Sequence, residues 1–185
     1  MRVLLVGVGT VGEAIARMCA QRDWCELMVL ADYDLDRVTA LQQTLGDAGR
    51  FPGERLDARE ADAVAALARR HRVDLVMNAV DPRFVMPIFD GALAAGANYM
   101  DMATSLSRPH PDEPYRLPGL KLGDEQFART AEWEQAGRLA LLGMGMDPGL
   151  TDVFATHAAK HLFDEVEEVH IRDGGDLHIP GYAFA

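Results

Sequence analysis

A chain of 185 residues, 49% apolar and 25% charged, falls in the globular range, with room for one domain of about 150 residues and a remainder. Its 18 Lys+Arg against 29 Asp+Glu give a net charge of −11 with no local basic cluster, which argues against nucleic acid and anionic membrane as partners. No apolar run approaches the roughly 20 residues of a membrane helix, and early glycines argue against a signal peptide; with Cys19 and Cys25 outside any CxxC spacing, free thiols and a cytoplasmic location are expected.

The apolar period switches repeatedly between strand and helix. Residues 2–6 form a continuous apolar run suited to a strand covered on both faces. Residues 10–21 then read as a helix, with Val11, Ile15, Met18 and Cys19 spaced to share one face. A second buried strand at 27–31 leads to Asp34, which is expected to cap a helix running to about residue 45. A short strand at 55–57 precedes an Ala-rich helix at 61–70, followed by a fourth strand at 73–79. Pro82 breaks the chain before a helix at 85–95 that Gly96 stops, and 98–102 makes a fifth strand.

Between Thr104 and Gly123 lies RPHPDEPYRLPGLKLG, whose four prolines predict irregular backbone, either a functional lid or a disordered insertion. A helix at 124–137, a sixth strand at 139–143 and a helix at 150–162 follow. Residues 166–172 alternate like a half-exposed strand, and the closing GGDLHIPGYAFA has no period.

Strands and helices alternating in this way predict an α/β fold, a doubly wound parallel sheet of the Rossmann type. Ligands of such sheets bind beyond the carboxyl ends of the strands, an edge built here by residues 7–12, 32–34, 78–82, 102–105 and 144–149. The first of these stretches is GVGTVG. It follows a strand, opens a helix, and has Asp32 at the end of the next strand, 20 positions past Gly12. In a dinucleotide site Gly7 permits the tight turn, Gly9 leaves room for the pyrophosphate and Gly12 lets the helix approach the strand. The amides of Val8 to Gly12, including Thr10 and Val11, would take the phosphates.

Asp32 can accept both ribose hydroxyls of NAD. A 2′-phosphate would oppose it at roughly 4 kcal/mol per unit charge pair for about 4 Å and an effective dielectric of 20. Position 33 is Tyr rather than Arg, and the nearest guanidinium, Arg37, lies a turn into the helix, so NAD is expected over NADP.

GVGTVGEAIA, VLADYD, VMNAVDP, NYMDMA and above all GMGMDPGLTDVFA resemble the saccharopine dehydrogenase family, including its lysine 6-dehydrogenase and carboxynorspermidine-type members. The resemblance implies hydride transfer between nicotinamide and a carbon bearing nitrogen, in an amino acid or polyamine precursor. It places the nicotinamide ribose and ring by Asn78, Ala79, Val80, Asp81 and Pro82, and by the loop carrying Met146, Asp147 and Pro148. It also implies a further substrate and dimerisation domain, so that residues 1–150 form the dinucleotide-binding domain, 151–185 begin the second, and the full-length form is a homodimer. Two rivals are a ligand-sensing nucleotide domain of the kind that regulates potassium transport, and a fragment that binds nucleotide without catalysis.

The other polar candidates carry two readings each. Asp101, ending the fifth strand, fits a group that binds or deprotonates a substrate amine, or a cap for the following loop. Asp147 fits either substrate contact or a turn before Pro148 and Gly149. Thr104 and Ser105 lie in position to touch substrate, and Met144 and Met146 to pack on the nicotinamide or fill core. His157 and His161 stand four apart on a helix, but no third ligand accompanies them and no metal is expected.

Overall fold

The computed structural model describes residues 1–172. Six parallel strands, β1 (Arg2–Val6), β2 (Leu27–Asp32), β3 (Gly53–Arg55), β4 (Leu75–Asn78), β5 (Asn98–Asp101) and β6 (Ala140–Leu141), form one sheet in the order β3-β2-β1-β4-β5-β6. Among the described residues seven α-helices connect and follow them: α1 (Thr10–Ala20), α2 (Leu35–Leu45), α3 (Ala61–Arg70), α4 (Val85–Ala95), α5 (Asp124–Phe127), α6 (Thr130–Gln135) and α7 (Leu150–His161). The doubly wound fold expected from the alternation is the one observed. Strand order reverses at β1, which is flanked by β2 and β4, and a crevice opens at the carboxyl ends of β1 and β4.

Because successive strand residues point to opposite faces, the apolar run of β1 serves two cores. Val3 and Leu5 pack with Met28, Leu30, Ala16 and Val38 on the α1–α2 side. Leu4 and Val6 pack with Val29, Val64, Ile88 and Phe89 on the α3–α4 side. There Phe89 meets Tyr99 edge-on with centroids 5.1 Å apart and Trp133 at 4.8 Å, an aromatic cluster that fastens α4, β5 and α6 together. Asp34 caps α2, accepting from the Asp36 and Arg37 amides, and Gly96 ends α4 in the left-handed region.

Four expectations need correction. On α1 the buried stripe is Gly12, Ala16 and Cys19, while Val11 and Met18 are 54% and 62% exposed. The helix turns its smallest residues to the sheet because the glycine turn brings it too close for large ones. The helix expected at 124–137 is broken at Ala128 and Arg129: the Thr130 hydroxyl takes the Phe127 carbonyl (2.6 Å), and Arg129 is drawn into pairs with Asp90 and Glu132. The third strand lies at Gly53–Arg55 instead of 55–57. Residues 166–172 form no strand; they are exposed and have no neighbouring strand among the described residues to supply a ladder. The closing GGDLHIPGYAFA lies outside the described residues.

The proline-rich excursion is pinned at both ends. Arg108 and Leu120 exchange two backbone hydrogen bonds (2.9 and 2.8 Å), Gly123 donates to the Ser105 carbonyl (3.0 Å), and Arg108 pairs with Glu125. Its tip carries Tyr115, 99% exposed.

Cys19 and Cys25 are free, buried and in contact. Burial, with the neighbouring Cys25 thiol second, pushes Cys19 up to about 11 from 9.0. Two pK units remove roughly 99% of the thiolate available below both values, so a thiol reagent at pH 8 is expected to label native Cys19 about 100-fold more slowly than the unfolded chain. A native rate within tenfold of the unfolded one would contradict this packing.

Candidate functional site

The chain leaves β1 through Gly7, whose φ is +96°, and enters α1 at Gly9. A Cβ on Gly12 would stand 1.9 Å from the Gly7 carbonyl oxygen, so this turn closes only around glycine. Gly9 differs: a Cβ there would meet nothing of the chain within 4 Å, and no side chain caps the helix. The first amides of α1, at Thr10, Val11 and Gly12, therefore open onto free space that a side chain at position 9 would fill. That is a cradle for an anion, and it fits a pyrophosphate.

Asp32 ends β2 beside it. Its Oδ2 accepts from the Val8 amide (2.9 Å) and its Oδ1 from the Asp34 amide (3.0 Å), which fixes the carboxylate at the mouth of the turn. The Val8 amide is thereby engaged by Asp32 rather than turned to the cradle. Tyr33 is exposed, with the Arg55 guanidinium over its ring at 4.9 Å.

A cavity of about 480 Å³ adjoins Asp32. Val6, Leu56, Ala58, Val80 and Phe84 form its apolar wall, and Asp32, Asp57 and Arg59 its polar rim. Asp57 is gripped by Arg59 (Nε to Oδ1 2.9 Å), and that hydrogen bond holds its carboxyl down to about 2. The size and the mixture suit a purine base with its sugar at Asp32. A larger groove of about 660 Å³ starts at Val8, Gly9 and Thr10 of the turn and runs between α1 and α2 over the buried Leu41, with Glu13 and Arg17 on its rim paired with each other (2.7 Å). Leu56 to Arg59 and Phe84 were not among the residues expected here. The rule that ligands gather beyond strand carboxyl ends reaches them when β3 is included.

On the other side of the switch point, Asn78 is buried and its side chain is spent inside the protein: Oδ1 accepts from the Val80 amide (3.1 Å) and Nδ2 donates to the Tyr99 hydroxyl (3.0 Å). Ala79 packs against the glycine turn, and Asp81 caps the short 3₁₀ turn Pro82–Phe84, its carboxyl held low by the Arg83 side chain.

Asp101 is 1% exposed. Its Oδ1 accepts from the Gly143 amide (2.7 Å), its Oδ2 from Gln126 Nε2 (2.8 Å), and burial raises its pKa against those hydrogen bonds. It thus ties β5 to the loop after β6 and to α5. Asp147, in contrast, is exposed, its Oδ1 accepting from the Thr151 hydroxyl (3.4 Å). The loop that carries Asp147 folds on itself through Gly145 N to Pro148 O (3.1 Å) and Thr151 N to Met146 O (3.0 Å), leaving the Met144 and Met146 side chains exposed. Thr104 is half-buried, and the Ser105 hydroxyl is buried without a partner among the described residues.

The His157 and His161 rings lie 4.8 Å apart, tilted by 42°, and among the described residues no three His, Cys, Asp or Glu side chains are placed to hold a metal. No helix among the described residues is long and apolar enough to cross a membrane.

Residues 3–141 match the model of the saccharopine dehydrogenase NADP binding domain. The chain is 30% identical to a carboxynorspermidine synthase of Vibrio alginolyticus, over 94% of its own length and 43% of the relative's. It is also 30% identical to a carboxyaminopropylagmatine dehydrogenase of Synechocystis, over 93% of its own length and 41% of that protein's. Among solved structures it superimposes on apo saccharopine dehydrogenase (L-Glu forming) of Saccharomyces cerevisiae with a TM-score of 0.65 at 19% identity, over 87% of this chain and 31% of that one. It superimposes on the UDP-N-acetylglucosamine 3-dehydrogenase GnnA of Acidithiobacillus ferrooxidans with a TM-score of 0.57 at 15% identity, over 87% of this chain and 42% of that one. These two likenesses are of fold. The chain therefore spans less than half the length of the curated relatives it matches, and within that span it is an NAD(P)-binding Rossmann domain that belongs to the saccharopine dehydrogenase family.

Proposed function

We propose that this chain is the dinucleotide-binding unit of an NAD-dependent oxidoreductase acting at a carbon that bears nitrogen, in an amino-acid-like substrate related to the carboxylated polyamines. The open cradle over Gly9, with Asp32 fixed beside it, is the observation that carries this reading. The amides of Thr10, Val11 and Gly12 hold the pyrophosphate. Asp32 takes the adenosine sugar, and the apolar cavity takes the base, with Asp57 at its rim to accept from the exocyclic amine. The nicotinamide half lies over residues 79–81 and against Met146 and Pro148.

When bound, the nicotinamide supplies or accepts the hydride. The chain's own residues place the reacting carbon and manage charge: Asp147, exposed on its loop, faces a protonated substrate amine, while Asp101 acts from within the fold. Residues 1–150 form this unit, and 151–185 begin a substrate domain through which a longer form pairs as a homodimer. The names of the two curated relatives support the substrate class, and a cytoplasmic location agrees with such metabolism.

NAD is favoured over NADP by the way nearby cations are already used. Arg37 pairs with Asp34 (3.4 Å), Arg55 stacks on Tyr33 and Arg59 is held by Asp57, so a 2′-phosphate at Asp32 would have to draw one of them away while facing the carboxylate. In calorimetric titration we expect NADH to bind at least about tenfold more tightly than NADPH, and Asp32→Ala to erase most of that margin by weakening NADH. Tighter binding of NADPH by the unmodified chain would overturn the cofactor assignment, and binding of neither would overturn the function.

A further inference from the structure

Two chains of donors end on the Asp101 carboxylate. The Val80 amide donates to Asn78 Oδ1 (3.1 Å), which turns Asn78 Nδ2 onto the Tyr99 hydroxyl (3.0 Å), and that hydroxyl faces Asp101. The Ser105 amide donates to Gln126 Oε1 (2.8 Å), which turns Gln126 Nε2 onto Asp101 Oδ2 (2.8 Å), and the Gly143 amide reaches Oδ1 (2.7 Å). In each chain a main-chain N–H fixes the side-chain amide so that its NH₂ points inward. Both carboxylate oxygens are therefore acceptors, and the arrangement is built for an anion.

The partners are all neutral. Among the described residues no Lys, Arg or His forms an ion pair with Asp101, so a charge that is 1% exposed is stabilised by dipoles alone. Burying a charge without a counter-ion is costly, and a fold needing only a staple between β5 and the next loop could use a neutral amide. The charge stands at the carboxyl edge of β5, in register with Asn78 of β4. We infer that Asp101 is a fixed negative charge that biases the site towards the oxidised, positively charged nicotinamide ring over the neutral reduced one. This rests on the nicotinamide half lying at the β4–β5 edge. Asp32, at the adenosine sugar, meets the same chemistry in both redox forms and contributes no such bias.

The test is calorimetric titration of the chain with NAD⁺, NADH and ADP-ribose. Asp101→Asn is expected to raise the ratio of the NAD⁺ to the NADH dissociation constant about tenfold, the scale of one unit charge acting within a protein, while ADP-ribose affinity moves less than about threefold. Gln126→Leu removes one of the donors that hold the carboxylate in its charged form but keeps the carboxyl itself, so any shift of its ratio towards NADH is expected to stay below that of Asp101→Asn. A folded Asp101→Asn protein with an unchanged ratio, or a Gln126→Leu protein shifted towards NADH further than Asp101→Asn, overturns the inference. If ADP-ribose and both dinucleotides bind normally in that case, the proposed function stands without it; if none of the three binds the unmodified chain, both fall.

Discussion

Gly12→Ala is expected to abolish measurable NADH binding and to cost about 2–3 kcal/mol of stability, the upper part of the range for overpacked interiors. The added methyl would lie 1.9 Å from the Gly7 oxygen and 2.9 Å from its carbonyl carbon, both backbone atoms with no rotamer to change. Relief requires α1 to move off the turn, and α1 carries the amides that form the cradle. Binding and stability are lost together because one contact serves both. Gly9→Ala provides the contrast: its methyl meets no protein atom, so stability should hold while NADH affinity falls. Urea denaturation and calorimetry on the two variants separate these outcomes, and a Gly12→Ala protein binding NADH within about tenfold of the original would refute the geometry.

The second large effect is expected at Arg50, far from the cradle. Its guanidinium donates to four main-chain carbonyls: Cys25 (3.0 Å), Ala20 (3.0 Å), Cys19 (2.9 Å) and Arg22 (2.7 Å). These carbonyls belong to the end of α1 and the loop into β2; those of Cys19 and Arg22 also accept from the Arg22 (3.0 Å) and Cys25 (3.3 Å) amides, and the guanidinium gathers all four. Arg50→Met keeps much of the stem but removes every donor. We expect a loss of about 3 kcal/mol, because several partly buried acceptors lose charge-assisted bonds at once. The midpoint of thermal unfolding should fall by at least about 6 °C for a chain of this size. NADH affinity of the folded variant should stay within about threefold, since the clamp lies at the opposite end of α1 from Gly9. A midpoint unchanged within 1–2 °C would show that water replaces the guanidinium at little cost.

What was legible in the sequence follows from which forces act locally. The buried run of β1, the glycine turn, the cap at Asp34 and the stop at Gly96 each depend on residues within a few positions, and they stand where the pattern puts them. The face of α1 was misread because period alone gives weight to Val11 and Met18, whereas the approach of helix to sheet is decided by Gly12 and Ala16, which carry little apolar signal. The break between α5 and α6 depends on Asp90, 39 residues from Arg129, and could not be seen from the local sequence. The alternation at 166–172 is a preference that needs a neighbouring strand to become structure.

The site divides in the same way. Gly7, Gly9, Gly12 and Asp32 carry a spacing, and the structure gathers them around one turn: Gly12 packs on Gly7, Gly9 lines the groove on one side, Gly7 and Asp32 line the cavity on the other, and the Val8 amide ties the turn to Asp32. Leu56, Asp57 and Arg59 carry none, because the base they adjoin is recognised by shape and by scattered polar atoms. The environment of Asp101 was hidden altogether: its partners Gln126 and Gly143 lie 25 and 42 residues away, across a proline-rich stretch that reads as irregular.

The proline-rich stretch is a loop closed at its base. Because its two stems are zipped together at Arg108 and Leu120 and anchored below at Ser105 and Gly123, its tip is mechanically insulated from the sheet. Lengthening or nicking the chain around Tyr115 changes the entropy of a closed loop only slowly with size and leaves the ends where they are. The fold has therefore set aside a place where foreign sequence, or new chain ends, can be accommodated without the nucleotide mouth registering the change.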